Sequence, residues 1–220
     1  GTQPFCELDI ITRPPVLIPR WETEEWASRL CEVIRSNWQP SAGSLRILDV
    51  CTGTGCIALT LASQLPENSV EICALDISSD AIVLARENYA VHASRIQNQV
   101  QFHLCDIYDE PLPVTGDFDC VIANPPYITG QEYSDLDADV KQWEDKRALY
   151  AAENGTAVHR RIIDVASRLT QPKWNIPRVI MEIGGSHQIE SLAATLKSHH
   201  FTDIEVWQDL AGKDRVILAK

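Results

Sequence analysis

Basic residues are scarce in this chain: 19 lysines and arginines stand against 31 aspartates and glutamates, a net charge of −12 at pH 7. That balance opposes unassisted binding to a phosphate backbone, which needs clustered cations, and favours a protein or small-molecule substrate. No apolar stretch approaches the roughly 20 residues needed to span a bilayer. The opening GTQPFCELDI lacks the basic-then-apolar layout of a secretory signal, so a soluble chain without membrane contact is expected. CxxC pairs and Cys/His clusters at metal spacing are missing as well, and no metal is expected. The seven cysteines are scattered through apolar segments, as small core residues of a reducing compartment would be. Methionine occurs once, at Met181, so residue 1 is not expected to be a translation start, and upstream sequence is expected to have been removed.

Elsewhere the usage is ordinary: 45% hydrophobic and 23% charged residues exclude disordered and fibrous classes. The length of 220 residues suits one domain, and no linker, internal repeat or low-complexity tract is present. Short apolar runs predict strands near 45–50, 70–76, 100–104, 118–123 and 178–183. Helix-forming stretches lie between them at 55–64, 79–92, 155–169 and 187–198, with Ser78 or Ser79 as an N-cap. Alternation of this kind implies an α/β fold with a mainly parallel sheet. The carboxyl end differs, because 203–209 and 215–219 are separated by only LAGKD. That is too short for a helical crossover, so an antiparallel hairpin strand is expected to close the sheet. Ahead of the first strand, VLIPRWETEEWASRLCEVIRSNW reads as an extended piece entering a helix, with Pro19 near its start and Glu22, Glu24 and Glu25 in its first turns. The breakers QPSAGS then form a loop. The expected organisation is an extension and helix over 1–40 and the main domain over 41–220.

ILDVCTGTGCIALTLA, residues 47–62, sends a buried strand through a glycine-containing turn into a helix, the arrangement that brings backbone close to a ligand. Gly53 and Gly55 alone are weak evidence. Asp76 adds to it by closing the next strand 21 residues after Gly55, where a carboxylate can accept from ribose hydroxyls. Asp106 follows the third strand and can accept from an adenine amine, with Ile107 against the ring; a turn-forming acid is the plain alternative. Three such positions at successive strand ends match the rule that ligands of open α/β sheets bind outside the carboxyl ends of the strands. NAD and S-adenosylmethionine both contain adenosine, so these residues do not choose between them.

The fourth strand does. It ends in Asn124-Pro125-Pro126-Tyr127 on the side where the turn would hold a cofactor. Pro125 biases Asn124 toward an extended backbone, and both prolines hold φ near about −65° without an N–H, which makes a stiff arm. The arm can present two acceptors, the Asn124 side-chain oxygen and the Pro125 carbonyl, to a substrate NH₂. Amide and aromatic amine nitrogens are poor nucleophiles because their lone pair is delocalised. Holding both N–H bonds orients that pair toward an electrophilic methyl, so catalysis is by position and electrostatics. Tyr127 can stack on a planar amide or base and favours a nearby cation.

VLIPRWETE (16–24), ILDVCTGTGCIAL (47–59), ANPPYI (123–128), EIG (182–184) and DLAGKDRVILA (209–219) together resemble the HemK/PrmC protein-(glutamine-N5) methyltransferases, in the family's order and over essentially the whole chain. The resemblance implies a class I S-adenosylmethionine-dependent methyltransferase with a Rossmann-like, mostly parallel seven-stranded sheet and a C-terminal antiparallel hairpin strand. The implied substrate is the glutamine of the Gly-Gly-Gln motif in a class 1 peptide chain release factor. By the family pattern Cys51, Thr52, Gly53, Thr54, Gly55, Asp76, Asp106, Ile107 and Asn124 contact the cofactor, and Asn124, Pro125, Pro126 and Tyr127 hold the glutamine. Arg20, Glu22 and Thr23 belong to a family segment folded near the cofactor and are secondary candidates. Cys51 stands where the family usually has glycine; if the turn needs positive φ, a cysteine costs on the order of 1 kcal/mol. A nucleophilic role for Cys51 has no histidine placed to support it. Family members also carry an upstream helical domain that helps to dock the release factor, which this chain is expected to lack. The match implies the mitochondrial matrix if the source is eukaryotic and the cytoplasm otherwise; a monomer is expected.

Three rival readings remain at this level. An amino-methyltransferase acting on an exocyclic amine of a nucleic-acid base uses a similar Asn-Pro-Pro-aromatic arm, but the acidic charge and the 16–24 segment argue against it. A cofactor-binding scaffold without activity has only Cys51 as a hint. A NAD-dependent oxidoreductase leaves both the arm and the terminal hairpin unexplained.

Overall fold

Residues 1–39 and 43–220 are described by the computed structural model; positions 40–42 of the expected QPSAGS loop, and with them the expected boundary between 40 and 41, lie outside the described residues. The chain opens with the hairpin β1 (Thr2–Phe5) and β2 (Leu8–Ile11), followed by α1 (Trp21–Asn37). Next come β3 (Leu45–Val50), α2 (Cys56–Gln64), β4 (Val70–Asp76), α3 (Ser79–Val91), β5 (Gln99–Leu104) and β6 (Cys120–Ala123). Four short helical pieces precede the next long helix: α4 (Gly130–Asp135), α5 (Ala138–Trp143), α6 (Lys146–Leu149) and α7 (Ala152–Gly155). The chain ends with α8 (Ala157–Leu169), β7 (Val179–Glu182), α9 (Ser186–Ser198), β8 (Glu205–Gln208) and β9 (Asp214–Ala219).

β3 to β9 form one seven-stranded sheet in the order β5-β4-β3-β6-β7-β9-β8. The β3–β4, β4–β5, β3–β6 and β6–β7 pairs are parallel, while β9 runs antiparallel to both β7 and β8. The order reverses between β3 and β6, the crevice where open α/β sheets bind ligands. Successive residues of one strand serve opposite faces: Ile47 joins a core with α1, α2 and α3, whereas Leu48 joins a second core with α8 and α9. Both faces are therefore covered, which is why these strands read as continuous apolar runs.

Local chemistry explains the boundaries. Ser78 Oγ accepts from the Ala81 N–H at 3.3 Å and caps α3. The helix expected from 155 begins at Ala157, because Gly155 sits at φ +79, outside helical geometry. The reversing strand is present but is not at the edge: β9 lies inside and β8 outside, since Val216–Ala219 is buried throughout while β8 alternates with solvent. The β1–β2 hairpin carries Phe5, Leu8 and Ile10 into the same core as Trp26, Leu30 and Ile34 of α1, so the first 39 residues share the main domain's interior. No helix among the described residues is long and apolar enough to cross a membrane.

Candidate active site

Adjoining clefts lie across the carboxyl ends of β3, β4, β5 and β6. One of about 530 Å³ is lined by Val16, Gly53, Asp76, Asn124 and Arg147, among others, and a second of about 600 Å³ by Asp76, Asp106, Ile107 and Tyr108. A third, of about 340 Å³, reaches from the glycine turn to Arg20, Thr23 and Asn124, and Cys51 lines all three. Asp76 ties the turn together: Oδ2 accepts from the Gly53 N–H at 2.8 Å and Oδ1 from the Ser78 N–H at 2.9 Å. Burial pushes its carboxyl up, and these two N–H donors oppose the shift. Asp106 lines the second cleft, and its Oδ1 accepts from the Tyr108 N–H at 3.0 Å, as a turn-forming acid does. Beneath the turn, the Thr52 hydroxyl donates to Asp49 at 2.6 Å, and burial pushes the Asp49 carboxyl to about 7.

The residues at the turn divide. Gly53 has open space where a Cβ would stand, leaving its backbone free for close approach. Gly55 does not line the clefts; a Cβ there would stand 3.2 Å from Ala85 Cβ and 3.3 Å from a Phe102 ring carbon, so its role is to turn the chain into α2. Thr52 and Thr54 line the third cleft, and among the described residues the buried Thr54 Oγ1 has no hydrogen-bond partner. Among the secondary candidates, Thr23 and Arg20 reach that cleft, while Glu22 turns away to Arg215 at 3.5 Å. Arg20 is itself committed to the buried Glu144 carboxylate, at 2.7 and 2.8 Å.

At the end of β6, Asn124 and Pro126 face the clefts. Asn124 Nδ2 donates to Thr23 Oγ1 at 3.2 Å. Among the described residues nothing donates to Asn124 Oδ1 or to the Pro125 carbonyl; Asn124 lines the first and third clefts, whereas Pro125, which is buried, and Tyr127 line none of the three. The Tyr127 ring turns inward, and its hydroxyl donates to Glu182 Oε1 at 3.1 Å. Burial and the Glu182 charge push the phenol far above its usual range, so it stays protonated. The arm's course is fixed by close approach: the backbone of Gly155 lies against the Tyr127 carbonyl where no Cβ would fit. Gln188 Nε2 donates to that same carbonyl at 2.9 Å.

Comparison with known proteins agrees with this geometry. A family model described as the methyltransferase small domain matches residues 28–142. The release factor glutamine methyltransferase of Bacteroides thetaiotaomicron is 32% identical over 220 residues, covering 100% of this chain and 73% of that protein. The one of Lactococcus lactis subsp. lactis is 35% identical over 223 residues, covering 100% and 75%. The chain belongs to the release factor glutamine methyltransferase family. A further relative of this methyltransferase, from Schizosaccharomyces pombe, is named "Probable MRF1 mitochondrial N(5)-glutamine methyltransferase mtq1", at 31% identity over 227 residues, 99% of this chain and 72% of that one. Among solved structures, the human Mettl16 catalytic domain superposes with a TM-score of 0.65 at 15% identity, covering 96% of this chain and 74% of that one. A methyltransferase from Pyrococcus furiosus gives 0.64 at 14%, covering 98% and 90%. These likenesses show the fold, that of the class I S-adenosylmethionine-dependent methyltransferases.

S-adenosylmethionine suits the methyltransferase's cleft. Asp76 and Asp106 line it with carboxylates for a cationic molecule, Ile77, Ile107 and Val16 supply apolar walls, and Thr54 Oγ1 at the turn and Asp49 Oδ1 beneath it have no partner among the described residues. Several lining groups were not legible from the sequence. Arg147, paired to Asp145 at 2.6 Å, lines two of the clefts, and the Asp145 N–H donates to the Pro15 carbonyl at 2.8 Å, so the 143–148 stretch and the 13–17 stretch meet over the site. Nothing in their spacing signalled this. Glu182, in the EIG motif, has one mark in the sequence, that of a lone acid ending the strand VIME.

Cys51 adopts φ +61, so the turn does demand the left-handed region. Burial, with Asp76, Asp49 and Asp106 around it, pushes the thiol well up, which leaves no thiolate to act as a nucleophile. Cys51→Gly is expected to be more stable than Cys51→Ala by about 1 kcal/mol, a gap of about 2–4 °C in thermal melting. The opposite order, usual where φ is negative, would refute strain at this position.

Proposed function

We propose that the protein transfers a methyl group from S-adenosylmethionine to the side-chain amide nitrogen of the glutamine in the Gly-Gly-Gln motif of a class 1 peptide chain release factor. The observation that carries this reading is the pair of unoccupied acceptors, Asn124 Oδ1 and the Pro125 carbonyl, on an arm that borders the cofactor cleft. Two acceptors match the two N–H bonds of a primary amide, and the names carried by the relatives point to glutamine among primary amides. Bound S-adenosylmethionine supplies the electrophilic methyl.

The chain's own residues do the rest by placement. Asn124 and Pro125 hold the amide N–H bonds so that the nitrogen lone pair has one free direction, which raises the effective concentration of a weak nucleophile. Tyr127 stays protonated and braces the arm. No residue is needed as a strong base, because the nitrogen becomes acidic once methylated and then gives up its proton to water or to the site's acceptors. The net charge of −12 supports a protein substrate over a nucleic acid. We read 41–220 as the methyltransferase domain and 1–40 as an extension folded onto it, acting as a monomer, and place the protein in the mitochondrial matrix in view of the fission-yeast relative's name.

The test is mass spectrometry of a release factor incubated with the protein and S-adenosylmethionine, beside tRNA and DNA as alternative acceptors. The expected result is one added methyl on the Gly-Gly-Gln glutamine and none on the nucleic acids. Methylation of a nucleic acid alone would replace the reading with a base amino-methyltransferase.

A further inference from the structure

An asparagine side chain is nearly symmetric in shape, so the arm can work only if something decides which end of the Asn124 amide faces the substrate. A flipped amide would oppose its own NH₂ to the incoming NH₂, donor against donor. The residues behind Asn124 remove that ambiguity. Glu182, at the end of β7 and 1% exposed, collects three donors: the Trp26 indole at 2.8 Å and the Thr23 hydroxyl at 2.7 Å on Oε2, and the Tyr127 hydroxyl at 3.1 Å on Oε1. An indole N–H can only donate, so Oε2 is an acceptor. Burial pushes the Glu182 carboxyl up, and the three donors together with Arg215 hold against it. Thr23, itself 2% exposed, has a single hydroxyl proton, and Oε2 takes it. Toward Asn124 the hydroxyl therefore has only a lone pair to offer, and the atom facing it across 3.2 Å must be the donor Nδ2.

We propose that Glu182 and Thr23 are positioning residues that set the polarity of the Asn124 amide: the Thr23 hydroxyl donates its one hydrogen bond to the carboxylate, the Thr23 oxygen accepts from Nδ2, and Oδ1 is left to face the substrate. The inference rests on the reading of the substrate as a primary amide. It also accounts for Thr23 standing in the 16–24 segment on α1, far along the chain from the arm it serves, and for Trp26 one turn later on the same helix face.

Four variants, a release factor altered at its target residue and one direct measurement test it. Thr23→Val keeps the shape and removes the hydroxyl, so the amide is free to flip. Turnover on the release factor is expected to fall about 10- to 100-fold, with affinity for S-adenosylhomocysteine within about twofold. A release factor carrying glutamate in place of the target glutamine offers acceptors where the native side chain offers donors; as an inhibitor it is expected to improve about fivefold or more against Thr23→Val, a gain no general loosening would produce. Thr23→Ser restores the hydroxyl and should recover turnover to within about threefold. Glu182→Gln retains an oxygen for Trp26 and Thr23 and should lose much less turnover than Glu182→Leu, which removes the group that takes the proton. Unaltered turnover in Thr23→Val, or reduced turnover with the same preference between the glutamine and glutamate factors, would overturn the proposal. Neutron diffraction of the wild-type protein separates this from failure of the substrate reading: deuterons of Asn124 directed at Thr23 uphold the relay even if no release factor is methylated, and deuterons directed into the cleft refute it.

Discussion

Asn124→Ala is expected to lower turnover on a release factor by about two to three orders of magnitude while the protein keeps its fold. The asparagine is half-buried and, among the described residues, its side chain makes one hydrogen bond, to Thr23, so its removal leaves the sheet, both cores and the Glu182 cluster in place. The loss falls on the acceptor Oδ1, one of the two groups available to hold the substrate N–H bonds. Positioning of this kind acts on the transition state more than on the ground state, so kcat should carry most of the effect and KM little. Asn124→Asp keeps an oxygen toward the cleft but has no donor for Thr23, whose proton already belongs to Glu182, and is not expected to restore activity. Steady-state kinetics with matched circular dichroism melts decide it. Full activity in Asn124→Ala would remove the acceptor-pair mechanism altogether.

The sheet was readable because its strands are buried on both faces. Apolar runs such as CVIA, and VIM at the start of β7, have no polar alternation to blur them, and the helices between them have ordinary start signals such as Ser78. What escaped reading lacked either kind of mark. The β1–β2 hairpin turns through Cys6 at φ 51, without the glycine or asparagine that usually announces such a turn. The stretch 130–155 is a chain of one- to two-turn helices with no apolar period to detect, although Thr129 and Glu132 form a capping box whose T-x-x-E spacing is visible in the sequence. Placing β9 inside the sheet needed information on burial that a hairpin pattern does not carry.

The site divides in the same way. Groups that touch the cleft through fixed backbone features, the glycine turn and the strand-end acids, stood out by spacing. Groups that act through other side chains did not. Glu182, Trp26 and Thr23 come from β7 and α1, 156 and 159 positions apart in the hydrogen bonds that join them, and only the folded sheet brings them behind Asn124. Asp145 and Pro15 meet beside the cleft for the same reason. The resemblance implied a place near the cofactor for Thr23; the structure puts it at the third cleft and in a hydrogen bond with Asn124.

The largest effect on cofactor binding is expected at Asp76. Its carboxylate joins the glycine turn to the start of α3 by accepting from Gly53 and Ser78, and each oxygen keeps a further lone pair for a ligand hydroxyl. Asp76→Ala deletes the ligand acceptors and leaves both N–H groups without their partner, so affinity for S-adenosylhomocysteine should fall about 100-fold, with turnover at saturating cofactor falling far less. Asp76→Asn can still accept on one oxygen, but its NH₂ faces either Gly53 or Ser78 as donor to donor; about a 10-fold loss is expected. Isothermal titration resolves the two. The grading matters more than either value: if Ala and Asn were equally damaging, the loss would lie in the missing negative charge, and if neither weakened binding beyond about twofold, the nucleoside end of the cofactor would have to lie elsewhere than the crevice between β3 and β6. In that event Asn124 would also lose its place beside the methyl donor, because the strand that carries it borders the same crevice.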